Sequence, residues 1–319
     1  MTNEARLQHF PISWFAMVMG LSGFTIAWMR AATLLGAPKG IGSGLLAVTI
    51  SAFVILALLY TVKLVSYRSA VAAELNHPVK INFFPTVSIA LILIGMATLD
   101  ATPGVSKVLW SIGVVLHLLF TVYVMSVWIN HTKFQIHHMN PAWFIPVVGN
   151  ILVPIAGVHH YSPEISWFCF SIGLVFWIVL LTIVYYRVIF HDPLPDRLVP
   201  TMFILIAPPA VGFISYLSLV GEIDVFARIL YYAGLFLTLL LLTQIRRFAR
   251  LHFFLSWWAY SFPMAAITIA TLLMFHKLGL PFFGFLSWFF LTLLTLIIVV
   301  LLIRTALAVR RREICVEES

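Results

Sequence analysis

The chain has 319 residues, of which 62% are hydrophobic and only 9% charged, with a formal net charge of +8. An average soluble domain is about a quarter charged. So little polar surface cannot cover a water-soluble body of this size, but a bilayer replaces water with hydrocarbon over most of the surface. The positive charge is read as membrane topology and not as nucleic-acid binding, because basic residues of membrane proteins concentrate on the cytoplasmic side.

A spanning helix needs about 20 apolar residues. Ten runs qualify: 11–35, 42–66, 81–99, 106–130, 141–159, 164–190, 198–220, 224–245, 252–276 and 281–308. They fill the chain and leave no room for a second soluble domain. The expected layout is a cytoplasmic N-terminus (1–10), a ten-helix transmembrane domain (11–308) and a cytoplasmic tail (309–319). No cleavable signal peptide is evident, so the first run is expected to serve as its own membrane signal. Short polar or turn-rich links separate the runs, among them Gly36-Ala37-Pro38-Lys39-Gly40 and His191-Asp192-Pro193-Leu194-Pro195-Asp196. A membrane barrel would alternate apolar and polar residues, whereas these runs are apolar all round. Cys169 falls in a span and Cys315 in the tail, which argues against a disulfide between them.

Lysine and arginine give the orientation. The termini and even-numbered links hold 14 of them and the opposite side 5, accounting for all 19. Both termini are therefore expected to be cytoplasmic, in agreement with an even number of spans. The run Arg310-Arg311-Arg312 reads as a stop and lipid-headgroup anchor.

Proline placement divides the spans into two kinds. Pro85, Pro146, Pro154, Pro208, Pro209 and Pro263 lie well inside spans, and every one is in an odd-numbered span. The first span lacks an interior proline but carries Gly20 and Gly23. Proline removes a backbone hydrogen bond and kinks a helix, and unpaired backbone in lipid costs several kcal/mol. Interrupted helices are tolerated where protein or a water-filled cavity surrounds them. The pattern predicts five hairpins, each with one interrupted inner helix and one continuous lipid-facing helix.

Several stretches resemble one family across about Phe10 to Arg304. They are Trp14-Phe15-Ala16-Met17-Val18-Met19-Gly20-Leu21, then Lys63-Leu64, Glu74 and His77-Pro78-Val79-Lys80. Pro146-Val147-Val148-Gly149-Asn150, Ala207-Pro208-Pro209-Ala210 and Trp257-Trp258-Ala259-Tyr260-Ser261-Phe262-Pro263-Met264 follow in order. The chain thus resembles the bacterial TehA proteins and the plant guard-cell slow-type anion channels, the tellurite-resistance/dicarboxylate transporter family. That family often has a glycine where this chain has Ala16 and a proline where it has Val18. The resemblance implies an all-α fold of five hairpins around a quasi-fivefold central pore, assembled as a homotrimer in the bacterial inner membrane. It implies conduction of small anions such as chloride and nitrate. A ninth-helix phenylalanine, here Phe262, would close the pore. An apolar ring in a narrow pore excludes water and blocks ions. Gly20, Pro85, Pro146, Gly149, Pro208, Pro209, Ser261 and Pro263 are the expected pore-lining or kink positions.

The expected inner spans show no mid-membrane Arg or Lys, so anion preference is assigned to helix ends, to freed backbone amides and to hydroxyls. The candidate hydroxyls are Ser22, Thr25, Ser88, Ser261 and Thr268, although helix packing is the commoner role of such groups. His117 lies mid-span in an outer helix and reads as structural. Lys63, Asp100, Glu164, Glu222, Asp224 and Arg228 lie near span ends, where snorkelling or capping accounts for them. The pairs His137-His138 and His159-His160 do not make a metal site without further ligands. There is no nucleophile–base–acid set and no phosphate-binding loop, so neither an enzyme nor a cofactor is expected. The expected partners are small inorganic or organic anions and membrane lipids. The rival reading is a secondary transporter of C4-dicarboxylates such as malate, or of sulfite or tellurite oxyanions. Such a carrier would hold its substrate with convergent Arg or Lys side chains, and a proton-coupled one would carry an intramembrane acid.

Overall fold

The computed structural model describes residues 3–315. It is helical, with no strand among the described residues. Ten helices are long and apolar enough to cross a membrane. They are α1 (Ile12–Leu34), α2 (Lys39–Ser66), α3 (Lys80–Ala97), α4 (Pro103–Asn130) and α5 (Pro141–His160), then α6 (Pro163–Phe190), α7 (Val199–Val220), α8 (Val225–Leu242), α9 (Leu255–Leu278) and α10 (Pro281–Arg310). The eighth ends earlier than the sequence suggests, and Ile245–Ala249 forms a separate short helix carrying Arg246 and Arg247. The ninth starts three residues later, after an irregular stretch around His252.

The helices fall into two classes. In the apolar windows of the odd helices, 72–78% of residues are buried inside the protein; in the even helices the range is 11–39%. Each odd helix packs on the even helix that follows it, and each even helix also touches the next odd one, α10 returning to α1. The odd helices touch one another in the order α1, α3, α5, α7, α9, and α9 closes on α1. The odd helices therefore form a closed inner set, while the even helices present faces such as Leu58, Val122, Phe236 and Phe285, each more than half exposed. The Arg6 guanidinium donates to the Ile314 carbonyl (3.1 Å), so the two ends of the described chain meet on one face.

Backbone geometry follows the same division. Every odd helix contains 3-10 turns: Ile12–Trp14, Lys80–Phe83, Pro141–Trp143 with Gly149–Leu152, Val199–Ile206, and Leu255–Tyr260. Every even helix is uninterrupted α-helix from end to end. The prolines supply the reason. A proline cannot serve the carbonyl four residues back, and that carbonyl is taken instead by the residue just before the proline. Phe84 N–H donates to the Ile81 carbonyl ahead of Pro85, Val153 to Asn150 ahead of Pro154, and Ala207 to Ile204 ahead of Pro208. The i→i+3 bond tightens the turn and gives each of these three carbonyls a partner. In α1, which has no interior proline, the 3-10 portion is a single turn and Gly20 lies in unbroken α-helix.

Candidate functional site

The inner helices enclose two cavities. All five enter from the same face, since one even helix separates each from the next. The larger cavity, about 440 Å³, lies among their C-terminal halves. Gly23, Ile26 and Arg30 line it from α1, Leu93 and Asp100 from α3, and Leu152 and His159 from α5. Val211 and Ser218 come from α7, and Phe262 and Lys277 from α9. The smaller cavity, about 50 Å³, lies on the N-terminal side, against Met19, Ile89, Gly149, Ile204 and Pro208. Leu152, Val211 and Phe262 border both cavities. Phe262 is the largest of the three.

Local sequence sets that ring in place. The 3-10 stretch Leu255–Tyr260 gives way to α-helix at Ser261, and Pro263 fixes the backbone immediately after Phe262. Opposite lies Gly23. A Cβ there would fall 3.3 Å from Phe262 Cδ2 and 2.8 Å from Ala265 Cβ, so the missing side chain is what leaves room for the ring. The walls nearest Phe262 are aliphatic, and polarity appears outward, at the charged or titratable Arg30, Asp100, His159 and Lys277 and at the hydroxyls of Thr33 and Ser218.

The other expected positions distribute differently. Gly149 and Pro208 line the smaller cavity. Pro85, Pro146, Pro209 and Pro263 lie in or beside the 3-10 to α transitions and border neither space. Gly20 borders neither space and lies within unbroken α-helix, while Ser261 sits at the 3-10 to α transition of α9 and also borders neither space. A Cβ on Gly20 would lie 2.0 Å from Ser261 Oγ, so the missing side chain lets α1 and α9 pack closely at this pair. None of the five candidate hydroxyls lines a cavity. Thr25, Ser88, Ser261 and Thr268 donate to carbonyls of their own helices. The hydroxyls that do face the larger cavity are Thr33 and Ser218.

A polar cluster behind the wall ties α4 to α3 and α5. Ser88 donates to the Pro85 carbonyl (2.7 Å), which commits its only proton, so His117 Nδ1–H donates to Ser88 Oγ (2.9 Å). Thr121 donates to the Pro146 carbonyl (2.7 Å), and Asn150 donates to Thr121 (2.9 Å). His117 thus has a structural role. Lys63 does not snorkel. It is 1% exposed and pairs with Glu74 at 2.8 Å. It also donates to the Phe10 carbonyl, while Tyr60 and the Ile12 amide donate to the same carboxylate. The helix Arg68–Asn76 folds back to deliver Glu74, a move that span-end position alone does not reveal.

Residue-by-residue reading missed Arg30, Leu152 and Val211 as cavity residues and noted Gly23 only because the first span lacks an interior proline. Arg30 could have been found. It follows Gly23 by seven residues, two helical turns, on the same face.

Ten apolar helices enclosing two cavities in line define a multi-pass membrane protein of the channel or carrier class. The chain belongs to the SLAC1 voltage-dependent anion channel family, whose model matches residues 9–306. It is 28% identical over 324 residues to an uncharacterized transporter of Methanocaldococcus jannaschii, covering 92% of this chain and 95% of that one. It is 29% identical over 274 residues to an S-type anion channel of Arabidopsis thaliana, covering 83% of this chain and 43% of the plant protein. The tellurite resistance protein TehA homolog of Haemophilus influenzae is 26% identical over 273 residues, with 83% of this chain and 81% of the relative covered.

Proposed function

We propose that this protein is an anion channel of the uniporter type, passing small anions such as chloride and nitrate along a path walled by α1, α3, α5, α7 and α9 and closed by the Phe262 ring. The observation that carries the reading is that Phe262 borders both cavities, which lie in line along the five inner helices. A bulky apolar ring at such a neck expels water, and a dewetted constriction stops ions until the ring swings aside. Membership in an anion-channel family supports the substrate class. The closed order of inner-helix contacts supports a quasi-fivefold arrangement about the path. In this reading the protein is a homotrimer of the bacterial inner membrane with both termini cytoplasmic, as the family resemblance and the 14-to-5 split of basic residues suggest.

One observation favours the rival carrier of C4-dicarboxylates, sulfite or tellurite oxyanions: two basic side chains, Arg30 and Lys277, face the same cavity. The Lys277 ammonium spends one of its three donors on the Gly221 carbonyl at 2.7 Å and keeps its charge, so the flux measurement decides whether the two cations act as a dicarboxylate clamp. Liposomes holding the purified protein separate the readings. The channel gives chloride and nitrate flux that is independent of a pH gradient and does not saturate at millimolar substrate. Saturable, proton-driven malate uptake without chloride flux would replace it with the carrier.

A further inference from the structure

We infer that Arg30 is the anion-capture residue of the larger cavity, and that its guanidinium makes the outer mouth attractive to small anions. The inference rests on the proposed anion path and names the group that selects for charge.

The argument starts from helix polarity. The larger cavity lies among the C-terminal halves of five helices, and a helix C-terminus carries about half a negative charge. Asp100 adds another. An uncorrected mouth of this kind repels anions. Lys277 offsets part of the negative field, but its ammonium is held on the Gly221 carbonyl at the end of α7. Arg30 is different. It is half-buried on the cavity wall, and its side chain makes no hydrogen bond or ion pair among the described residues. Side chains on a helix lean toward its N-terminus, which in α1 is the direction of Gly23 and the Phe262 ring. Seven residues separate Arg30 from Gly23, about 10 Å along the axis. The guanidinium therefore lies on the approach to the ring, with its donors uncommitted, in a space large enough for a partly hydrated anion. Asp100, His159 and Lys277 are exposed at the rim, so Arg30 is the least exposed charge of the cavity. A single guanidinium near water binds small anions loosely, which suits passage more than storage.

Two measurements test this in the full-length protein. In bilayers, Arg30→Gln in the Phe262→Ala background is expected to lower anion conductance severalfold at about 0.1 M salt. The deficit should shrink at about 1 M, where the Debye length falls from roughly 10 Å to roughly 3 Å. Arg30→Glu is expected to shift the reversal potential in a KCl gradient toward the potassium value. In detergent, nitrate at constant ionic strength should raise the melting temperature of wild type relative to gluconate, and should not do so for Arg30→Gln. Unchanged conductance and reversal potential, with equal nitrate shifts in both proteins, would overturn the assignment. Protein that carries no current but keeps an Arg30-dependent nitrate shift would refute the channel reading and leave the binding site standing.

Discussion

The inner and outer helices are built from nearly the same apolar alphabet and do opposite things with it. The outer helices are continuous, expose aliphatic and aromatic faces, and satisfy every interior backbone group within one α-helix. The inner helices are broken into 3-10 and α portions, carry every interior proline, and bury about three-quarters of their apolar windows. The difference teaches that backbone irregularity in this molecule is confined to where other helices enclose it, as the cost of bare polar groups in lipid requires. It also places both cavities and Phe262 in the irregular set, the part of the molecule that the proposed path uses.

The comparison can be broken first at the tie between the sets. Lys63 of the outer α2 is held by Glu74 in the link leading to α3, in a buried network that reaches Phe10 at the entry to α1. Lys63→Met leaves a buried carboxylate unpaired and is expected to cost about 3–5 kcal/mol, with most of it recovered by adding Glu74→Leu. Thermal unfolding in detergent measures both. Next comes tolerance to proline. Val115→Pro, on the exposed face of α4, should destabilise by about 3 kcal/mol or more, since a continuous helix loses a bond and gains a clash. Pro208→Ala in α7 should change stability by less than about 1 kcal/mol, because the stranded carbonyl already has its partner in Ala207. Equal losses at the two sites would erase the distinction between helix classes.

The smallest expected effect lies outside the membrane. Asp224 caps α8, accepting from the Ala227 amide (2.8 Å) and from the Tyr216 hydroxyl (2.6 Å). These bonds hold its carboxyl below the ordinary carboxylate value. A depressed folded-state value means that the capping contribution is present above the unfolded pKa and disappears as pH falls through the lowered one. Acid unfolding of Asp224→Asn should therefore show a slightly shallower pH dependence than wild type below about pH 4. Superimposable curves would remove the cap from the account.

Much of this was legible in the sequence, for physical reasons. A bilayer forces length and apolarity on each span, and interior proline is tolerated only where it is enclosed, so Pro85, Pro146, Pro208 and Pro263 marked the inner helices. What the residues did not disclose was which side of an all-apolar helix faces inward. Gly20 and Gly23 sit three positions apart, yet Gly20 meets Ser261 in a packed interface and Gly23 opens beside the Phe262 ring. Arg30 counted only toward topology, because its lean into the cavity depends on how α1 is rotated. Glu74 reached Lys63 by a reversal of the chain that no local pattern encodes. The 3-10 turns were invisible because neither length nor composition separates a 3-10 turn from the α-helix it runs into.

The claim that the path runs through the inner helices and is closed by one ring is tested most directly by paired truncations. Anion flux into liposomes would be compared for wild type, Phe262→Ala, and Phe236→Ala on the exposed face of α8. Removing the constriction is expected to raise flux about tenfold or more for Phe262→Ala, with Phe236→Ala indistinguishable from wild type. Equal flux in all three proteins would contradict the account.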